Sequence, residues 1–420
     1  MSRSGWFRKQ QTVLATDGTA EAKPVSPRRK GRAVALVASS AAMVLAAGIA
    51  IVALGVPGSH AAPATPAEQA SAAAQDVPAV ALQMLSVTPA SGAKAVNGAA
   101  PIRVQFSAPL AASSPMPQLS PSIAGHWQVE GDSAVFTPAV GYFQNTKVTV
   151  KIPGGQTGMI SVAGANKGAG GLLGSSVTES FTTGSFSTLR LQELFSQLNY
   201  LPFTWTPKSA TVINPASANA ELSAAYSAPA GTFAWNGDYP SELTDQWTPG
   251  SDNILDTGAI RAFESVQGLT MDGYAGNTVW SDLLAAVGSG KNNPNGYTYA
   301  LASQDSPHET LKVWHNGKLI LDTPANTGVA GASTVDGTFP VYERLPFQIM
   351  KGTNLDGTKY ADPVQWISYF NGGDAVHYFE RPGYGYYQSL GCVELPLTPA
   401  KFIYPYLTYG TLVTVTGPVA

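Results

Sequence analysis

The sequence holds one cysteine, Cys392, and five histidines: His60, His126, His308, His315 and His377. A thiol is a useful nucleophile only as thiolate, so it needs a neighbouring base or cation near neutral pH. His377 closes the run Asp374-Ala-Val-His377 a short way before Cys392, and a strand, a loop and a return would bring the two together. The same spacing also fits a half-buried strand histidine with no chemical role. His60 and His126 lie far upstream, His308 falls in a loop, and His315 sits beside a predicted hairpin turn. Gly391, immediately before the cysteine, permits a tight turn that aims backbone N–H groups at a developing oxyanion, a device worth about 3 kcal/mol per donor. A lone cysteine makes neither an intrachain disulfide nor a thiolate zinc cluster. No metal and no organic cofactor is expected.

Around this pair the sequence offers further candidates. Tyr384, Tyr386 and Tyr387 form an aromatic loop before Cys392, fit either to wall a substrate cleft or to pack locally. Ser333 and Thr338 are polar residues that could line such a cleft.

Val376-His377, a Gly-rich loop, then Ser389-Leu-Gly391-Cys392-Val393 resembles the signature of the L,D-transpeptidase catalytic domain of the YkuD type. Asn326-Thr-Gly328 and Asp336-Gly-Thr-Phe339 resemble its earlier turns, and the likeness covers residues 295–420. The resemblance implies that Cys392 attacks the carbonyl of a peptidoglycan tetrapeptide stem, releases D-Ala and leaves a thioester. His377 would take the thiol proton, the Tyr378 carbonyl would orient the imidazole, and Ser389 and Gly391 would support the nucleophile turn. Transfer to an acceptor amine would then form a 3→3 cross-link; transfer to water would make the enzyme an L,D-carboxypeptidase. Two residues depart from the pattern. Leu390 stands where the family usually has histidine, and Glu394 where it has arginine or asparagine. A carboxylate close to the sulfur should raise the thiol pKa.

Those departures support a rival reading, a wall-binding structural protein with an inert catalytic-like cap. Common wall peptidases place the histidine after the cysteine, and none follows Cys392. Ser91-Gly-Ala-Lys94 and Ser251-Asp-Asn253 match two penicillin-binding motifs, but no Lys-Thr-Gly triplet accompanies them.

The elements that must position this chemistry are mostly strands. Tyr297–Leu301, Thr310–His315 and Lys318–Leu321 alternate or run apolar, and Asn316-Gly317 between the last two is a two-residue hairpin signal. A further strand is predicted over residues 410–416. Upstream, short alternating runs such as Ile102-Arg-Val-Gln-Phe106 and Lys147-Val-Thr-Val150 predict an antiparallel β-sandwich over residues 83–184, which resembles bacterial Ig-like domains. Residues 187–288 carry helical spacing at both ends (Leu191, Leu194, Leu198; then Phe263 to Leu284). With Gly268-Leu-Thr-Met-Asp-Gly273 and Trp280 they resemble a three-helix peptidoglycan-binding module, interrupted by a polar insertion over 202–252. The fold class expected is therefore multidomain and mainly β: a transmembrane helix, an Ig-like sandwich, a small helical module and a β-rich catalytic domain.

Residues 33–56 carry no charge, and an apolar stretch of about 20 residues spans a bilayer core. The basic tail of residues 1–32 keeps the N-terminus inside, so the rest is expected outside the cytoplasmic membrane. A cleaved signal peptide ending near Ser59-His60-Ala61 is the alternative. Residues 57–82, rich in Ala and Pro, read as a linker. A formal net charge of -3 argues against a nucleic-acid partner. Peptidoglycan stem peptides, glycan strands and the membrane are the expected partners.

Overall fold

Alternation of side chains across a strand fixes the first layer. In Ile102–Phe106 the residues Ile102, Val104 and Phe106 are buried, while Arg103 points to solvent. The computed structural model describes residues 80–167, 171–209, 218–305 and 307–418. The predicted apolar span at 33–56, the basic tail, His60 and nearly all of the linker lie outside these residues. Among the described residues no helix is long and apolar enough to cross a membrane.

The sandwich has a four-stranded sheet, in the order Met84–Thr88, Ile102–Phe106, Ser133–Pro138, Gly125–Glu130. Facing it are Gln118–Ser120, Lys147–Ile152 and Val177–Thr182. Phe106, Phe136, Val148, Val150, Ile152 and Phe181 fill the space between them.

Helices follow at Thr188–Gln197, Ile254–Gln267 and Asn277–Gly288. The first two begin where side chains accept otherwise unpaired amides: Ser187 Oγ from Arg190 N–H, and Asn253 Oδ1 from Leu255 and Asp256 N–H. The 202–252 segment does not simply interrupt this layer; it completes it. Phe203–Pro207 and Gly231–Trp235 pair as a hairpin, and Ala218–Tyr226 is a helix. Phe203, Leu222 and Leu243 share one core with Phe195, Phe263, Trp280 and Leu283. Glu221 of that helix lies 3.7 Å from Arg190, whose guanidinium also pairs with Glu193 at 2.8 Å, all three buried. The polar composition of the segment hid the few apolar anchors that tie it down.

The last domain has two sheets. One runs Lys318–Pro324, Thr310–His315, Thr298–Ser303, Leu412–Thr416, Gly337–Pro340, with Thr298–Ser303 parallel to Leu412–Thr416. The predicted turn is present, with Asn316 at φ 48° and Gly317 at φ 76°. The helical layer packs on this sheet, since Tyr299, Leu301 and Leu412 belong to the helical core. The other sheet runs Glu343–Thr353, Lys359–Asn371, Asp374–Tyr378, Val393–Leu395. The long hairpin Glu343–Thr353/Lys359–Asn371 was not foreseen, because Pro346 and Pro363 interrupt its alternation and much of it is solvent-exposed. Trp366, at φ 60°, sits where the register between Lys359–Asn371 and Asp374–Tyr378 shifts, as at a β-bulge.

Candidate active site

Register places the two reactive side chains. Asp374–Tyr378 runs parallel to Val393–Leu395, with Val376 opposite Val393 and His377 opposite Glu394. Val376 and Val393 face the core, so His377 and Glu394 face the other way. Stepping back one residue, Cys392 stands beside Ala375, on the same face as His377. Two strand positions separate them, roughly 6–7 Å along the sheet. Both line a groove of about 360 Å³.

His377 is buried, and its Nδ1 lies 3.1 Å from the Tyr378 carbonyl oxygen. A carbonyl only accepts, so Nδ1 carries the hydrogen and Nε2 is the basic nitrogen. Burial pushes the imidazole below its ordinary pKa, against the opposing effects of the Tyr378 carbonyl and the Glu394 charge. The Cys392 thiol donates to the Gly373 carbonyl at 3.7 Å. Burial, with smaller contributions from the Asp374 and Glu394 charges, pushes it up to about 12. At neutral pH the resting pair is therefore a neutral thiol and a neutral imidazole.

The turn before the sulfur is built around Gly391 at φ 114°, where a Cβ would come within 2.5 Å of Asp374 Oδ1. Ser389 Oγ accepts from the Gly391 N–H at 3.2 Å and donates to the Cys392 carbonyl at 2.6 Å. The Gly391 amide is thus engaged inside the turn and is not itself free to meet an oxyanion.

Glu394 does not stand as a bare charge. Arg381 grips it bidentately, Nε to Oε2 and Nη2 to Oε1, both at 2.8 Å. Arg381 also donates to the Gln388 carbonyl at 3.0 Å and lies over the Phe379 ring at 4.7 Å. Asn326 hydrogen-bonds the Glu394 backbone in both directions at 2.9 Å. No spacing signal in the sequence marks Arg381 as the partner of Glu394; the folded geometry identifies it.

Of the two alternatives for the aromatic loop, local packing is the one found. Tyr384 donates to the Phe379 carbonyl and Tyr387 to the carbonyls of Gln304 and Pro418, so both are spent on local packing, and Tyr386 projects into solvent. The wall is instead the long hairpin, through Met350, Tyr360, Asp362 and Val364, with Asn354 at its tip. Leu390 lines the groove; Ser333 and Thr338 do not, and Thr338 bonds Gln246 and Thr414 elsewhere.

Asp374 acts on the sulfur with its charge, and among the described residues it has no cationic partner. Burial lifts its pKa to about 6, against weak bonds from Val335 N–H and Asn371. A carboxyl raised in the folded state binds its proton more tightly there than when unfolded, so stability falls as pH rises from about 4 to about 6. Asp374→Asn should thus melt higher than the parent at pH 8, with the gap closing by pH 4. Its Cys392 should also react several-fold faster with iodoacetamide at pH 7.5, because one repulsive charge is gone. Equal melting gaps at both pH values would contradict this assignment.

Comparison with known proteins places these parts. Residues 297–415 match the L,D-transpeptidase catalytic domain, and residues 78–183 match the bacterial Ig-like domain. No curated protein matches the chain. Among solved structures, an L,D-transpeptidase from Mycobacterium smegmatis is 15% identical, with 80% of this chain and 99% of that one covered, at a TM-score of 0.26. The catalytic domain of the E. faecium L,D-transpeptidase is 28% identical over 28% of this chain and 96% of that one, at a TM-score of 0.26. An L,D-transpeptidase from Stackebrandtia nassauensis is 24% identical over 42% and 86%, at a TM-score of 0.24.

Proposed function

Proceeding from an L,D-transpeptidase catalytic domain at residues 297–415, we propose that the chain is a cysteine L,D-transpeptidase acting on peptidoglycan, held at the cytoplasmic membrane by residues 33–56. The observation that carries this reading is that Cys392 and His377 share one face of one groove, with Nε2 of His377 as the free base. A tetrapeptide stem lies along the groove under the hairpin. His377 takes the thiol proton as Sγ attacks the carbonyl of the stem's third residue. The tetrahedral adduct collapses, the bond to the D-Ala nitrogen breaks, and the imidazolium returns the proton to that amine. A neighbouring stem's side-chain amine then attacks the thioester, His377 takes the amine proton and passes it to Sγ as the C–S bond breaks, and a 3→3 cross-link and the neutral thiol result. The neutral resting pair fits this sequence, because proton transfer then accompanies attack instead of preceding it.

One observation favours the rival reading of an inert, wall-binding cap: a thiol pushed up to about 12 is a poor nucleophile at rest. The decisive experiment incubates the full chain in detergent with a tetrapeptide-stem muropeptide and follows intact protein mass. The enzyme reading expects an adduct equal to the stem minus D-Ala, absent in Cys392→Ala. Cross-linked dimers then mark a transpeptidase, and trimmed monomers alone mark a carboxypeptidase. A folded wild-type protein that gives neither adduct nor turnover is the structural cap.

A further inference from the structure

A second cleft lies where the helical layer meets the catalytic sheet, and it shares no lining residue with the Cys392 groove. It has a volume of about 420 Å³, within the 300–1,000 Å³ typical of small-molecule sites. Three pieces of chain meet there: residues 199–202 with Asn236 and Tyr239 of the helical layer, the connector 293–297, and the His315-Asn316 turn of the catalytic sheet. The seam is closely fitted. Gly317 N–H donates to the Tyr239 hydroxyl at 2.8 Å, and a Cβ on Gly317 would come within 2.0 Å of the Asn236 carbonyl oxygen.

The chemistry of the lining is distinctive. Asn199, Asn236, Asn293, Asn295 and Asn316 contribute five amides, and no Asp, Glu, Lys or Arg takes part. Burial pushes the His315 imidazole down and the Tyr239 and Tyr297 phenols up, so all three rings are uncharged at neutral pH. Two of the amides are framework. Asn293 donates to the carbonyls of Asn199 and Gly296, and its oxygen accepts from Asn295 N–H. Asn316 accepts from Tyr297 N–H at 3.0 Å and pairs with His315. The others face solvent: Asn199, Asn236 and Asn295 are exposed, and the Asn236 oxygen accepts from the Thr204 hydroxyl. Tyr239 and Tyr297 stand nearly perpendicular, with ring centroids 5.9 Å apart, and supply an apolar wall. Among the described residues the buried Tyr297 hydroxyl finds no hydrogen-bond partner.

Such a lining selects its ligand by exclusion. A charged group would lose its hydration here without gaining a counter-charge, whereas a neutral molecule dense in hydroxyl and amide groups meets donors and acceptors along its rim and aromatic faces beneath. We propose that this cleft binds an uncharged N-acetylated amino-sugar unit of a glycan strand, separately from the groove that takes the stem peptide. The proposal rests on the reading of the chain as a cell-wall enzyme. A sugar held there touches the helical layer, the connector and the catalytic sheet together, so it fixes how the strand that carries the stems runs across the protein.

The test titrates the full chain in detergent with the β-1,4-linked tetramer of N-acetylglucosamine, with maltotetraose as the control sugar, by calorimetry. Saturable binding of the N-acetylated tetramer is expected, at least tenfold weaker in Asn295→Ala, whose side chain is exposed and makes no hydrogen bond among the described residues, and in Asn236→Ala. Acylation of Cys392 by a stem peptide free of sugar should be unchanged in both variants. No saturable binding, or binding that neither substitution weakens, overturns the proposal. Acylation is scored separately, so a failed glycan site with intact acylation leaves the enzyme reading standing, and the reverse result leaves the glycan site standing.

Discussion

His377→Ala should lower the rate of Cys392 acylation by roughly a thousandfold, within the 10²–10⁴ that a positioned general base contributes, while the alkylation of Cys392 by iodoacetamide at pH 7 changes less than about threefold. The two halves of this expectation come from one feature. Burial holds the thiol high and the imidazole low, so His377 does not maintain a thiolate at rest; it accepts the proton only as sulfur attacks a bound carbonyl. A small alkylating agent reacts with whatever thiolate exists, and removing a base that holds none leaves that fraction nearly unchanged. In a preformed thiolate–imidazolium pair, alkylation would collapse together with acylation, and that result would refute the neutral resting state. The pH profile gives an independent reading. A base whose pKa lies below 6.5 stays neutral further into acid, so the acid limb of kcat/KM should fall below pH 6.5.

Much of this site was legible in the sequence because strand alternation is a strict rule. Alternation supplies the shared face once the register is known: Val376 opposite Val393 puts His377 and Cys392 on the same side. The Asn316-Gly317 turn and the alternating runs of the sandwich were readable for the same local reason. What escaped was long-range or two-sided. The hairpin Glu343–Thr353/Lys359–Asn371 is flanked by solvent, so Phe347 and Ile349 remain exposed and no clean buried stripe marks it. The 202–252 segment is polar on average, yet Phe203, Leu222 and Leu243 anchor it in the helical core. Gly391 signals a turn by its residue type, but the capture of its amide by Ser389 Oγ is a contact that residue type does not encode. Glu394 was read as a hostile charge because its partner, Arg381, is identified by geometry and not by spacing.

That partner sets the second large effect. Arg381→Met keeps much of the stem but removes the charge, leaving Glu394 with a side chain 6% exposed and no counter-ion. Breaking a buried pair by deleting one partner typically costs 3–5 kcal/mol. Arg381 itself is 28% exposed, and Asn326 Nδ2 still approaches Glu394 at 3.5 Å, so about 2–3 kcal/mol is expected in denaturant unfolding. The damage extends to the chemistry. Arg381 opposes the pull of Glu394 on the His377 proton, so its loss raises the imidazole pKa and shifts the acid limb of acylation toward neutral pH. Adding Glu394→Gln to Arg381→Met removes the orphaned charge and should restore more than half of the lost stability and return the acid limb toward its original position. Recovery in the double variant isolates the charge itself from any loss of packing against Phe379. A loss below about 0.5 kcal/mol in the single variant would class the pair with ordinary surface ion pairs, and the bidentate contact would then be a tether for the loop and not the device that tolerates an acid beside the nucleophile.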